Sequence, residues 1–273
     1  TRAQQETGCQ GQREERPPTS ASGGRARIPS RMPLPPLIAI DIPRMEGTPL
    51  RVPDAAGLAE LFFATEVSSR GPDSYDARTL TTPPHRVDRE DIRVLNASFR
   101  AMIMRVSLWE PLFEAGDLPW LQALDPSWDP TTMDDATWRR LRVADRVAEA
   151  IAELISVKGR GVAQATKLLH LKRPALVPVM DTLVARALGA RLSPDAPAAT
   201  RVEQARAIVE HVRLAVIEVR AQLDAVRAYL NGVGIERSRM RILDALLWCS
   251  QADECVAHSE VLARWRASAA DPA

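Results

Sequence analysis

The sequence predicts an all-α fold. Ala, Leu, Val and Arg dominate its 273 residues while aromatic residues make up only 4%, a balance that favours helix over strand. Helix-start and helix-stop residues recur from Asp88 onward. From Val202 to Leu230 apolar residues repeat at alternating spacings of three and four, the pattern of a sustained helical seam.

The elements follow in order. Residues 1–36 are rich in Arg, Gln, Gly, Ser and Pro and lack periodicity, so a disordered leader is expected to about residue 45. The chain begins with Thr, and Met32 and Met45 are candidate natural starts; a basic nucleic-acid arm is the functional alternative for this leader. Leu37–Ile42 reads as a short strand. Residues 46–85 are expected to be irregular, with a short helix at 54–64 and a loop from Ser68 to Pro84. Asp88-Arg-Glu-Asp91 resembles a capping box and opens a helix to about Val106. Pro111, Pro119, Pro126 and Pro130 break up the next stretch, which carries Trp109, Trp120 and Trp128. Asp134 or Asp135 caps a helix to about Ile155, and short helices follow at Gly161–Leu171 and Asp181–Leu188. Thr200-Arg-Val-Glu203 reads as a capping box for a long helix ending at Asn231-Gly232; further helices are expected at 235–250 and 254–266. The domain division is therefore a helical domain over 86–256 with a hairpin at 157–171, then a tail over 257–273.

The seam admits two readings. A wide apolar stripe usually faces its own domain's core, and the alternative is a surface that binds a partner helix or a second copy. Arg206, Arg213, Arg220 and Arg227 flank it at seven-residue intervals, and Glu203, Glu210 and Asp224 stand three residues before three of them, which suits a solvated salt-bridged face.

Bulk properties narrow the function. A net charge of +1 excludes a histone-like polybasic protein, so any nucleic-acid contact must come from a local patch. The three cysteines, Cys9, Cys249 and Cys255, supply neither a disulfide framework nor metal-ligand spacing, and too few thiolates for a four-cysteine iron–sulfur cluster. His85 and His211 have no ligand partners at metal spacing, so no metal and no cofactor is expected. The apolar runs fall short of a membrane span, and residues 1–31 do not read as a secretory signal; a cytoplasmic protein is expected.

One stretch departs from the average. Residues 157–181 hold all three lysines of the chain, Lys158, Lys167 and Lys172, together with Arg160, Arg173 and His170, and no acid lies between Glu153 and Asp181. The turn Gly159-Arg160-Gly161 opens the stretch and Asp181 closes it. Glycines at a helix start let the backbone reverse and present N–H groups to a phosphate, which mobile cations hold without reading sequence. The bland alternative is a helix-connecting turn with solvated charges. Asp181 itself suits an N-cap. After a second turn at Gly232-Val-Gly234, Arg237, Arg239 and Arg241 form either a second phosphate contact or a solvated face. Trp248 is expected in the core.

Val157-Lys-Gly-Arg-Gly-Val-Ala-Gln-Ala-Thr166, followed by Val177-Pro-Val-Met-Asp181-Thr-Leu-Val-Ala-Arg186, resembles the helix–hairpin–helix and catalytic aspartate of the DNA glycosylase superfamily. The resemblance covers about residues 154–189. It implies a hairpin that grips DNA phosphates and makes Asp181 the catalytic residue facing a flipped nucleotide in DNA repair. Family members that also cut the backbone carry a lysine eighteen residues before the aspartate; Ala163 stands there, so lyase chemistry is not implied. Arg160 replaces the usual apolar apex of the hairpin. Leu168-Leu-His-Leu-Lys-Arg-Pro174 and Arg239-Met-Arg-Ile-Leu-Asp-Ala-Leu-Leu-Trp248 resemble an uncharacterised bacterial, apparently actinobacterial, family over roughly 85–250, which implies no activity.

The expected function is a helix–hairpin–helix protein that binds double-stranded DNA, as a non-catalytic binder or as a monofunctional glycosylase. The alternative is a helical interaction protein using the 202–230 seam. The expected nucleic-acid contacts are Lys158, Gly159, Arg160, Gly161, Lys167, His170, Lys172 and Arg173.

Overall fold

The structure, a computed structural model, describes residues 35–67, 75–98, 101, 103 and 105–252. The expected leader up to residue 34, residues 68–74 of the expected loop, the last helix and the tail lie outside them; the rest of that loop, over 75–84, is not all loop, since Tyr75–Thr81 is helical. Among the described residues the fold is mostly helical, as expected, with one two-stranded sheet.

That sheet is an antiparallel pair, β1 (Ile40–Ile42) and β2 (Leu50–Val52), in the register Ile40↔Val52 and Ile42↔Leu50. Alternation explains it: Ile40, Ile42 and Val52 are buried while Asp41 and Arg51 pair across the exposed face at 2.9 Å. Helix α1 (Ala55–Val67) follows, its first turn fixed by Asp54, whose Oδ1 accepts the Gly57 N–H. Ile40 and Ile42 thus belong to the packed body, although the sequence division left them in the leader.

Helix α2 (Tyr75–Thr81) precedes α3 (Arg89–Ser98). The capping box of α3 forms as expected: Asp88 Oδ1 accepts the Asp91 N–H at 3.0 Å, and Asp91 Oδ2 accepts the Asp88 N–H at 2.9 Å. The helix is described to Ser98 and the chain is no longer helical at Ala101, short of the expected Val106; the Asn96 side chain brackets the backbone of Ile103 through its Nδ2 and Oδ1. A 3-10 turn (Val106–Trp109) and the short helices α4 (Glu110–Glu114) and α5 (Pro119–Gln122) occupy the proline-rich stretch.

The helix expected from Asp134 to Ile155 is two. Asp134 caps α6 (Asp135–Arg140) through Thr137 N–H, and a left-handed Arg142 separates it from α7 (Val143–Ile155). The long helix also breaks, into α10 (Ala198–Glu218) and α11 (Arg220–Gly232) at Val219. Its expected box at Thr200 does not form: α10 begins at Ala198 after Pro197, without a side-chain cap.

Ala205, Val209, Val212, Val216, Val219, Leu223, Val226 and Leu230 of the seam are all buried in the protein's own core. Helix α10 lies against α7, and Glu210 ties it to α6 by accepting Trp138 Nε1–H at 3.1 Å. Arg213 is not solvated; it is buried, stacks 4.8 Å over Trp138 and pairs with Asp135. Arg206 does pair with Glu203, at 3.8 Å, while Asp224 is taken by Arg239. The seam therefore offers no apolar stripe to a partner helix. Helix α12 (Arg239–Cys249) packs on α1 and α11 and completes the core.

Candidate active site

Helix α7 ends at Ile155, and the chain reverses through Ser156–Gly161 into α8 (Val162–Lys172). Gly159 has φ of +100°, which only glycine adopts without strain, and a Cβ there would meet Leu108 at 3.1 Å. Gly161 needs no such freedom: its φ is −108° and its missing Cβ points into open space. A single glycine of the pair is required by the backbone.

The expected basic patch does not form on the surface. Lys158 is exposed and Lys167 half-buried, but Arg160, His170, Lys172 and Arg173 are buried. Arg160 turns inward, lies 4.7 Å over the Trp109 ring and donates to the Leu108 carbonyl. Its planar face does the packing that an apolar apex would do. His170 is wholly buried, stacked on Tyr75, with Nδ1 2.6 Å from the Val177 carbonyl; burial and the charge of Arg241 push its pKa down to about 3, so the ring is neutral. Lys172 reaches Asp91 at 2.6 Å. Arg173 donates to the carbonyls of Leu124, Leu121, Pro84 and Lys172, and burial lowers its pKa to about 10. These four groups are spent on the fold, and none is available to a phosphate.

The segment after α8 is anchored by Thr166, whose Oγ1 accepts the Met180 N–H at 3.0 Å. Thr166 lies four residues into α8, about 6 Å along the axis from its first residue. Asp181 therefore starts α9 (Thr182–Ala187) about one turn from the N-terminal end of α8. It is an N-cap, as expected: Oδ1 accepts the N–H groups of Leu183 and Val184, each at 3.0 Å. Among the described residues its Oδ2 accepts no hydrogen bond, and the residue is half-buried.

One residue that sequence reasoning passed over, Asp244, interacts electrostatically with this carboxylate, together with Lys167. Asp244 of α12 is buried, with Oδ2 2.8 Å from Arg241 and Oδ1 without a hydrogen bond. Burial raises its pKa to about 7; Arg241 opposes the rise, the Asp181 charge adds to it, and Lys167 opposes it. Burial in turn lowers the pKa of Lys167, against the pull of Asp181 and Asp244. Lys167, Asp181, Asp244 and Arg241 thus form one electrostatic cluster built from α8, α9 and α12. It contains a carboxyl group that titrates near neutrality and a lysine with a depressed pKa, which are the properties of acid–base groups in active sites. The signal for Asp244 was a lone acid three residues from an arginine inside the apolar run Ile242–Trp248.

Among the described residues no group of His, Cys, Asp and Glu is arranged to hold a metal ion, and no helix is long and apolar enough to cross a membrane. The model of a family of unknown function, DUF6308, matches residues 69–251. The chain belongs to that family. The matched span runs from just before α2 to just past α12, so the DUF6308 region contains every residue of the Lys167–Asp181–Asp244–Arg241 cluster but not the β1–β2 hairpin or α1. No curated protein and no solved structure matches the chain.

Proposed function

We propose that the protein binds double-stranded DNA at the 157–161 turn and hydrolyses an N-glycosidic bond with Asp181. The observation that carries the reading is the half-buried Asp181 carboxylate, capped through one oxygen only, one turn along α8 from a tight glycine turn. This is the succession on which the glycosylase resemblance rests.

Binding falls to fewer groups than the sequence suggested. Lys158 projects from the turn, Gly159 brings the backbone close, and the first N–H groups of α8 lack intrahelical acceptors, which favours an anion there. Lys167 adds a second cation beside Asp181. In the reaction the C1′–N bond breaks and its electron pair leaves with the base. The Asp181 carboxylate stabilises the positive charge that develops on the sugar. A water oxygen then bonds to C1′, and its proton passes to the carboxylate and on to solvent, while the departing base takes a proton from solvent. Asp244 and Lys167 are the charged neighbours of that carboxylate.

Incubation with duplexes carrying deaminated, alkylated or oxidised bases tests the reading. Abasic sites, revealed by alkaline cleavage, are expected with at least one lesion class. Absence of base release across the whole panel contradicts it.

A further inference from the structure

The glycine that the 157–161 turn requires and the arginine that turns inward from it serve the same neighbour. A Cβ on Gly159 would meet Leu108 at 3.1 Å, and Arg160 donates to the Leu108 carbonyl while it lies over the Trp109 ring. Both contacts hold the 3-10 turn Val106–Trp109 against the hairpin, although Leu108 and Arg160 are 52 residues apart in the chain. Gln164 adds a third tie, since its Nε2 donates to the Ala101 carbonyl at 3.4 Å.

The segment held there shares the peculiarity of the stretch it joins. No acid occurs between Asp91 and Glu110, as none occurs between Glu153 and Asp181. Its arginines have different fates. Arg93 pairs with Glu90, and Arg100 lies outside the described residues. Arg105 is exposed, and its side chain makes no hydrogen bond or ion pair among the described residues; the same holds for Lys158. The Leu108 N–H donates to the Arg105 carbonyl at 3.1 Å, so Arg105 stands one tight turn from the residue that touches Gly159, and Lys158 is the chain neighbour of Gly159. Ser107 on the same turn is exposed and offers a hydroxyl. Glu110, the acid that follows, is taken by Arg89 at 3.1 Å. On the hairpin side the nearest acid in the chain is Glu153, on α7.

We infer that Arg105 and Lys158 form one phosphate-contacting face for double-stranded DNA, assembled from two distant segments that Arg160 and Gly159 hold together. Duplex DNA carries about one charge per 1.7 Å of its axis, so two cations on adjoining turns meet phosphates of the same duplex in any register. Such contacts position the duplex and carry no sequence information. Arg160 then contributes to binding by presenting Arg105 and not by touching phosphate itself. The inference rests on the DNA-binding half of the proposed function and is independent of the chemistry at Asp181.

Fluorescence anisotropy of a labelled duplex, titrated with the full chain at several salt concentrations, tests it. Arg105→Ala is expected to weaken binding about fivefold near 0.1 M salt and to reduce the slope of log K against log salt by about 1, and the double variant with Lys158→Ala should reduce it by about 2. Arg105→Glu should weaken binding further. Arg105 is exposed, so the thermal midpoint of each variant should match that of the wild type. Wild-type affinity and slope for Arg105→Ala, on a duplex whose binding Lys158→Ala does weaken, overturns the inference and leaves the hairpin alone as the contact. A wild-type chain that binds no duplex at any salt concentration contradicts the proposed function itself, and the inference with it.

Discussion

Lys172 Nζ lies 2.6 Å from Asp91 Oδ2, and neither side chain has any exposure to solvent. Asp91 is fully satisfied: Oδ1 accepts from Arg78 at 2.8 Å and Thr82 at 2.7 Å, and Oδ2 from Lys172 and the Asp88 N–H. The network joins α2, α3 and α8, and it redefines what the acid-free stretch around Lys172 is for. Its neutralising carboxylate sits 81 residues away in the chain.

Breaking this pair is expected to cost stability and leave any DNA affinity of the folded protein unchanged. Lys172→Met removes one partner of a buried ion pair, so a loss of about 3 kcal/mol is expected in urea unfolding. Lys158→Ala should do the reverse, with stability unchanged within about 0.5 kcal/mol.

Salt dependence of DNA binding follows from the same burial. With Lys158 and Lys167 as the cations left in the stretch, its share of the slope of log K against log salt is about −2, not the value near −5 that five surface cations would give. Lys158→Ala should reduce the slope by about 1, measured by fluorescence anisotropy on a labelled duplex.

Two buried groups set opposing pH dependences. The His170 pKa is lowered from an ordinary 6.5 to about 3, so its contribution to stability is complete above pH 6.5 and is lost as pH falls. The Asp244 pKa is raised from 3.8 to about 7, so its contribution is complete below pH 3.8 and is lost as pH rises. Between pH 3.8 and 6.5 the two slopes, each about 1.4 kcal/mol per pH unit, cancel. Over that window, relative to the wild type, His170→Gln should make stability fall with rising pH, and Asp244→Asn should make it rise. Denaturant unfolding at several pH values reads both slopes, and variants that track the wild type contradict the assignment.

Val216 separates core from interface. It is fully buried on α10, so Val216→Asp should unfold the protein, by more than about 4 kcal/mol, as seen by circular dichroism. A folded variant with only its assembly state changed would restore the partner-helix reading.

What was legible in the sequence was local. The Asp88 box, the Asp134 and Asp181 caps and the turn before α8 depend on residues within a few positions of one another, and they form. The Val202–Leu230 periodicity correctly marked a buried face, because a stripe of that width has to leave water. The fate of the cations was not legible. Arg160, Lys172 and Arg173 are neutralised or solvated by groups on α3, the 3-10 turn and α5, and no window of sequence contains both partners. The breaks at Arg142 and Val219 were hidden for a related reason: neither carries a glycine or proline, and tertiary packing overrides helix propensity there.

The central claim rests on Asp181, and Asp181→Asn tests it most directly. Asparagine caps helices as well as aspartate does, so α9 and the thermal midpoint should be preserved, while the charge that stabilises the sugar is gone. In single-turnover assays on a duplex that the wild type processes, base release by Asp181→Asn is expected to fall by at least about a hundredfold. A folded Asp181→Asn protein that releases base at the wild-type rate would leave Asp181 as a helix cap and nothing more.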